Sequence, residues 1–390
     1  MGVTYNKITA LQIMRAMRSS GVSAWQRTDL ATPSLPSGLR WTRSRLSPDR
    51  FGGEKNPDKV YVAVPSAVSR LGRATTRSTV YGANLPASSM LSLPHGYALA
   101  GPELLFVEMG TLMPPLVQVL LGMELCGTFS RDSLDPRHGR ITYGIPPVTS
   151  VASIELFIRE AEGLPGLEQA RRTIGIVRDN AWSPMEAVIA ALAASPVSEL
   201  GYGLGSVTLN PRMTQDLGLV SLGVRQSRVP DMLFDGTCVG INYDGRGHLD
   251  LESIASIASH TLPDDISAKR DLDETVRNVR AKSVDDLRRD RELAAMGYVI
   301  LPATSEDLFG RGALDALMAE VMLALEHFSP ADMARQRLAL QNDMLRRRRQ
   351  HLVWSLLPWS EAEGFARESA AADRREIESS VLLDETIFTI

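Results

Sequence analysis

The stretch Val229-Pro-Asp-Met-Leu-Phe-Asp-Gly-Thr-Cys-Val-Gly-Ile-Asn-Tyr-Asp-Gly-Arg-Gly-His248 limits the possible folds more than any other part of this chain. Two short runs rich in β-branched and apolar residues flank Asp235-Gly236, a dipeptide suited to the type I′ turn of a tight hairpin. A two-residue loop sets Phe234 opposite Thr237 and Asp231 opposite Gly240. Side chains alternate along a strand, so Asp231, Asn242 and Asp244 leave this hairpin on one face. Two carboxylates and an amide oxygen on one face, with His248 at the exit, are ligand types suited to a hard divalent cation.

Pro230-Asp231, Ile241-Asn-Tyr-Asp-Gly245 and His248 together resemble the PD-(D/E)XK nuclease superfamily. The nearest branch is that of the very-short-patch repair endonucleases, whose second strand carries Glu-x-Asp-Gly followed shortly by His. Downstream, Asp286-Leu-Arg-Arg289, Leu293, Gly297 and Tyr298-Val-Ile-Leu301 resemble that branch's next helix and strand. The resemblance implies a restriction-endonuclease-like α/β/α core. It also implies Mg²⁺ held by Asp231, Asp244 and Asn242, with Asp231, Asp244 and His248 as catalytic residues. The chain departs from the family at two positions. Asn242 replaces an acidic residue, and Asp244 stands where many relatives carry a catalytic Lys. An amide carbonyl ligates without charge, so the site loses one unit of negative field and metal binding is expected to be weak. The leading expectation is therefore a degenerate nuclease-like site. An active Mg²⁺-dependent DNA endonuclease is the alternative, and strand ends with a purely structural role are the third reading.

A helix is expected ahead of the hairpin, starting at Ser183-Pro-Met-Glu186. Ser183 serves as N-cap, Pro184 suits the first turn, and Glu186 reaches back to complete a capping box. The following Ala187-Val-Ile-Ala-Ala-Leu-Ala-Ala194 has strong helix propensity. The family resemblance adds a second reading of Glu186, as a helical carboxylate approaching the metal, and makes it a further catalytic candidate.

The formal net charge is −4, so the chain as a whole offers nucleic acid no attraction. Its basic residues are nevertheless clustered. Arg346-Arg-Arg-Arg349 is a compact run that can engage phosphates through counterion release, and it doubles as ordinary solvated surface. Arg289 is a further candidate for phosphate contact, with helical pairing to Asp285, Asp286 or Asp290 as the other reading. DNA is accordingly a candidate partner, and a protein partner is another.

A chain of 390 residues is long enough for two or more domains. The expected class is α+β: a mixed-sheet N-terminal domain, the nuclease-like core and a helical C-terminal tail. The corresponding boundaries are 1–180, 181–310 with an insertion at about 249–282, and 311–390. Val62-x-Val-Pro65, Ser78-Thr-Val-Tyr81, Leu85-Pro86 and Pro102-Glu-Leu-Leu-Phe-Val-Glu108 resemble the C-terminal region of abortive-infection type IV antitoxins. That resemblance implies a defence or toxin–antitoxin setting. Ser329-Pro330 is read as capping one helix that runs through the arginine run to Leu357. Two distant cysteines, the lack of a signal-peptide core and the lack of an apolar run long enough for a membrane span point to the cytoplasm. Nucleotide-loop, dinucleotide-fold, serine-elbow and zinc-finger spacings are missing, so no small-molecule cofactor is expected.

Overall fold

The computed structural model describes residues 3–22, 25, 27–28, 46–72, 74–81, 85–221, 223–245, 266–358 and 360–387. The chain is mixed α+β and divides into two compact units, Met1–Ala191 and Leu192–Ile390. The division falls inside the helix that begins at Pro184.

Among the described residues the first unit is organised by a six-stranded sheet in the order β2-β5-β6-β1-β3-β4. Its strands are β1 (Thr4–Tyr5), β2 (Arg27–Thr28), β3 (Val60–Val64), β4 (Thr76–Val80), β5 (Met90–Ser92) and β6 (Ala98–Ala100). β1 is only two residues long, yet it pairs parallel to β6 through Thr4↔Ala98 and antiparallel to β3 through Thr4↔Ala63. The helices are α1 (Lys7–Ser19), α2 (Pro102–Met109) and α3 (Pro115–Leu125), followed by α4 (Val151–Glu160) and α5 (Leu167–Thr173). A small hairpin of β7 (Phe129–Ser130) and β8 (Thr142–Tyr143) lies between α3 and α4. Every residue of α2 is buried, including Glu103 and Glu108.

Those buried charges are partnered, as burial requires. Glu103 accepts from both terminal nitrogens of Arg27 and from the Thr149 hydroxyl. Glu124 of α3 receives Arg15 Nε at 2.8 Å and Nη2 at 2.6 Å, a two-pronged pair that holds α1 against α3. That guanidinium holds the Glu124 carboxyl below the usual carboxylate range against the opposing effect of burial. Glu108 has no charged partner as close among the described residues. Its oxygens accept from the Tyr81 hydroxyl, the Lys7 backbone N–H and Asn6 Nδ2. Burial pushes the Glu108 carboxyl up to about 7. Lys7, at the first turn of α1, has φ of 47°, a left-handed backbone uncommon outside glycine.

α6 (Pro184–Ala194) leads into the second unit, whose central sheet runs β9 (Val207–Leu209), β12 (Met232–Phe234), β13 (Val239–Asp244), β14 (Val299–Thr304). Between β9 and β12 lie β10 (Met213–Thr214), α7 (Leu217–Ser221) and β11 (Ser227–Arg228). β9, β12 and β13 form an antiparallel meander, and β14 joins parallel to β13 after the long helix α8 (Ile266–Ala295). Parallel neighbours need such a crossover. α8 ends where Gly297 adopts φ of 87°, with its N–H bonded to Ala294 O and that of Tyr298 to Leu293 O. The capping signal at Ser283 starts no new helix, because α8 runs through it without a break.

The helices α9 (Ser305–Phe309), α10 (Ala313–Phe328), α11 (Ala334–Leu340), α12 (Asp343–Leu356) and α13 (Ser360–Ile387) complete this unit. They are part of it rather than an appendage: α10 packs against β13 and β14, burying Leu314, Leu317, Met318, Val321, Met322 and Leu325. The single helix expected from Ser329 to Leu357 is two, broken at Gln341-Asn342. There the Asn342 side chain accepts from Leu345 N at 3.0 Å and caps α12.

Candidate functional site

The hairpin register differs from the expected one by two residues. Met232 pairs with Ile241 and Leu233 with Gly240, which puts Asp231 across from Asn242. The connection is longer than two residues. Asp235-Gly236 sits inside a turn closed by Thr237 N to Phe234 O at 3.1 Å. Gly236 has φ of 73° while Asp235 is not left-handed, so the turn is not type I′. The Thr237 hydroxyl donates to Phe234 O at 2.9 Å, and Val239 N donates back to it at 3.1 Å. A shift of two leaves every side chain on its face. Asp231, Asn242 and Asp244 therefore share one side of the sheet.

On that side Asp231 and Asn242 are tied into a latch. Asp231 N donates to Asn242 Oδ1 at 3.0 Å, and Asp231 Oδ2 accepts from Tyr243 N at 2.6 Å. The two strand ends thus exchange side-chain-to-backbone bonds where the ladder stops. Asn242, only 2 % exposed, uses its Nδ2 to donate to Asp290 of α8 at 3.2 Å. A carboxylate at position 242 would face the Asp231 N–H equally well, but it would also meet Asp290 without a donor. Asn is the residue that satisfies both neighbours.

α8 supplies the cation of the cluster. The Arg289 guanidinium, 17 % exposed, stands 3.6 Å from Asp286, 3.6 Å from Asp290 and 3.9 Å from Asp244. A second network uses the same helix. Arg228, 5 % exposed, reaches Glu292 through Nε at 2.5 Å and Nη2 at 3.1 Å, and Asp285 through Nη1 at 3.2 Å. The Arg228 hydrogen bonds hold the Glu292 carboxyl below the usual carboxylate range.

The donor set as it stands does not fit the divalent cation that the nuclease resemblance implies. One oxygen of Asp231 and the only oxygen of Asn242 are bound to backbone N–H groups, and the space beside Asp244 holds a guanidinium. Among the described residues no group of three His, Cys, Asp or Glu side chains converges to hold a metal ion. His248 lies outside the described residues. Glu186 belongs to the first unit, where its Oε2 accepts from Trp182 N at 3.1 Å and its own N–H donates to Ser183 Oγ at 3.2 Å. It closes the start of α6 in the manner of a capping box.

The arginine run splits by face. Arg346, Arg347 and Arg348 are exposed, whereas Arg349 is 1 % exposed and corrects the expectation of a fourth surface cation. Its Nη1 donates to Asp315 at 2.7 Å, its Nε donates to Leu200 O at 3.2 Å, and its guanidinium lies 4.5 Å above the Tyr202 ring. Tyr202 donates to the same Asp315 oxygen at 2.8 Å. Burial pushes its hydroxyl well above the usual tyrosine range. Arg289, the other candidate for phosphate contact, is turned onto carboxylates instead.

Comparison with protein-family models, with curated proteins and with solved structures finds no match to this chain. No helix among the described residues is long and apolar enough to cross a membrane.

Proposed function

We propose that this chain is a nucleic-acid-associated protein whose second unit keeps the outline of a PD-(D/E)XK nuclease domain but holds an arginine where a nuclease holds metal. Support for the outline comes from the order of elements. An antiparallel hairpin bearing Asp231, Asn242 and Asp244 is followed by α8 and then by β14 parallel to β13, the hairpin–helix–strand succession that the motif resemblance implies. The observation that carries the reading is Arg289. Its charge, set among Asp244, Asp286 and Asp290, supplies internally the compensation that a divalent cation would otherwise bring. Asn242 fits the same exchange, since one negative charge fewer is needed when the cation is monovalent.

Nucleic-acid contact then falls to Arg346, Arg347 and Arg348 on the exposed side of α12. Manganese titrated calorimetrically into the wild type is expected to give no binding, and a DNA cleavage assay with Mg²⁺ or Mn²⁺ no product. A duplex without terminal phosphates is expected to be retained at low salt. Replacing the three exposed arginines with Gln should lower the salt slope by about 0.9 for each phosphate that is no longer neutralised. Metal-dependent cleavage that disappears in Asp231→Ala would overturn the arginine-for-metal exchange. Absence of retention at low salt would overturn the nucleic-acid role and leave protein interaction in its place.

A further inference from the structure

β4 (Thr76–Val80) ends the sheet of the first unit, and among the described residues no strand pairs with its outer side. Its inner side is bonded to β3. Val60 N donates to Thr75 O at 2.8 Å at one end of the pairing, and Tyr81 N to Val64 O at 2.8 Å at the other. Alternate residues of a strand turn their N–H and C=O to the same side. Arg77 and Thr79 therefore keep step with Thr75 and Tyr81 and face β3, while Ser78 and Val80 turn theirs outward. Both are half-buried, whereas Thr76 is buried, so the accessible edge is the stretch from Arg77 to Val80. The Ser78 hydroxyl accepts from Leu71 N at 3.1 Å, which ties the crossover from β3 to a face of the strand and not to its edge.

Exposed sheet edges are ordinarily blunted, and this chain blunts another one. β14, at one end of the second unit's sheet, bonds to β13 through Val299 N to Cys238 O at 2.8 Å, which turns Ile300, Pro302 and Thr304 outward. Pro302 has no N–H to offer, and Thr304 N is taken by the Asp307 carboxylate at 2.7 Å. β4 has neither device. Its distinguishing property is charge. Between Asp58 and Glu103 the sequence holds Lys59, Arg70, Arg73 and Arg77 and not one Asp or Glu. Arg77, on β4 itself, is exposed.

We propose that β4 is a docking edge for an extended acidic segment of another protein, which joins the sheet as a further strand. The outward backbone groups of Ser78 and Val80 supply the ladder bonds that hold such a segment. Arg77 and the other cations of this acid-free stretch select carboxylates on it. A second copy of the chain fits less well, because pairing two β4 edges brings like charges together. The inference goes beyond the nucleic-acid reading and does not rest on it, since it concerns the first unit alone.

The test is fluorescence anisotropy of a labelled, end-blocked peptide of about eight residues, alternating Glu with Thr, titrated with the full chain at low salt. Three companions are the same peptide with Lys in place of Glu, and two forms N-methylated at either the odd or the even positions. The acidic peptide is expected to bind and the Lys peptide not. Methylation of one parity should abolish binding and the other should be tolerated, because only alternate N–H groups meet β4. Arg77→Glu and Val80→Pro should each weaken binding by about tenfold or more. Val80 turns its N–H outward, so proline there removes no bond to β3, and a urea midpoint near that of the wild type checks the fold. The methylated peptides carry the test without altering the protein at all. No binding of the acidic peptide, equal binding of the Lys peptide, indifference to both methylations, or affinity unchanged in both variants would overturn the proposal. So would a dimer that Val80→Pro dissolves and the acidic peptide does not, which would make a second copy the occupant. DNA retention lost in Arg77→Glu, without binding of the acidic peptide, would give the edge to nucleic acid instead.

Discussion

Glu108 offers the sharpest test of the energetics inside the first unit. Its carboxyl is fully buried, and burial moves its ionisation from 4.5 up to about 7. At about 1.4 kcal/mol per pH unit, that displacement is worth about 3 kcal/mol. The folded state binds the proton more tightly than the unfolded chain. The stabilising contribution is therefore complete below pH 4.5, declines as pH rises toward 7, and is gone above it. Glu108→Gln removes the titration while keeping the shape. The new amide finds an acceptor because Asn6 Oδ1 has no partner among the described residues and the Asn6 amide can turn over. Urea unfolding of the full chain, repeated between pH 4.5 and 7.5, should show wild-type stability falling by about 3 kcal/mol and the variant nearly flat over the same range. Glu124 does not confuse the measurement, since its depressed carboxyl titrates below this window. A wild type that is flat across the range, or a Glu108→Gln variant that keeps the wild-type slope, would refute the reasoning.

Two further outcomes follow from the second unit. Arg349→Met should cost about 3–5 kcal/mol, because Asp315 keeps the Tyr202 hydroxyl but loses its buried counter-charge. Adding Asp315→Leu should restore part of that loss in chemical denaturation, and a cost under about 1 kcal/mol for the single variant would contradict the burial argument. Asn342→Ala should cost about 1 kcal/mol through loss of the α12 cap and speed amide exchange in the first turn of that helix, with unchanged exchange counting against a distinct helix start.

Much of this architecture is written in local pattern, and the departures have identifiable physical causes. The Ser183-Pro-Met-Glu186 start of α6, the Gly297 stop of α8 and the strands around Val62 and Val80 follow from capping chemistry and apolar runs. The hairpin face was legible and its register was not. Thr237 has strong strand propensity, but its hydroxyl is spent closing the turn, which removes two residues from the ladder. Arg349 was missed because four consecutive arginines look alike in composition. On a helix they span most of a turn and cannot all face water. The signal was present: Arg349, Val353 and Leu357 follow a spacing of four, and all three are buried. The position of Arg289 had no equivalent signal, since its partner Asp244 lies on a different element and the local candidates Asp286 and Asp290 accounted for it already.

β1 has a consequence for how the first unit comes together. Thr4 and Tyr5 lie between β6 and β3, so among the described residues they alone join β2-β5-β6 to β3-β4. Thr4 pairs with Ala98, almost a hundred positions later in synthesis. A growing chain must keep this short segment waiting until β6 has emerged, and pairings so distant in sequence form slowly. The sheet of this unit should therefore close only after β6 has been made. Any change that disturbs Thr4-Tyr5 acts as the removal of a keystone, leaving two half-sheets with open edges prone to pairing with other chains.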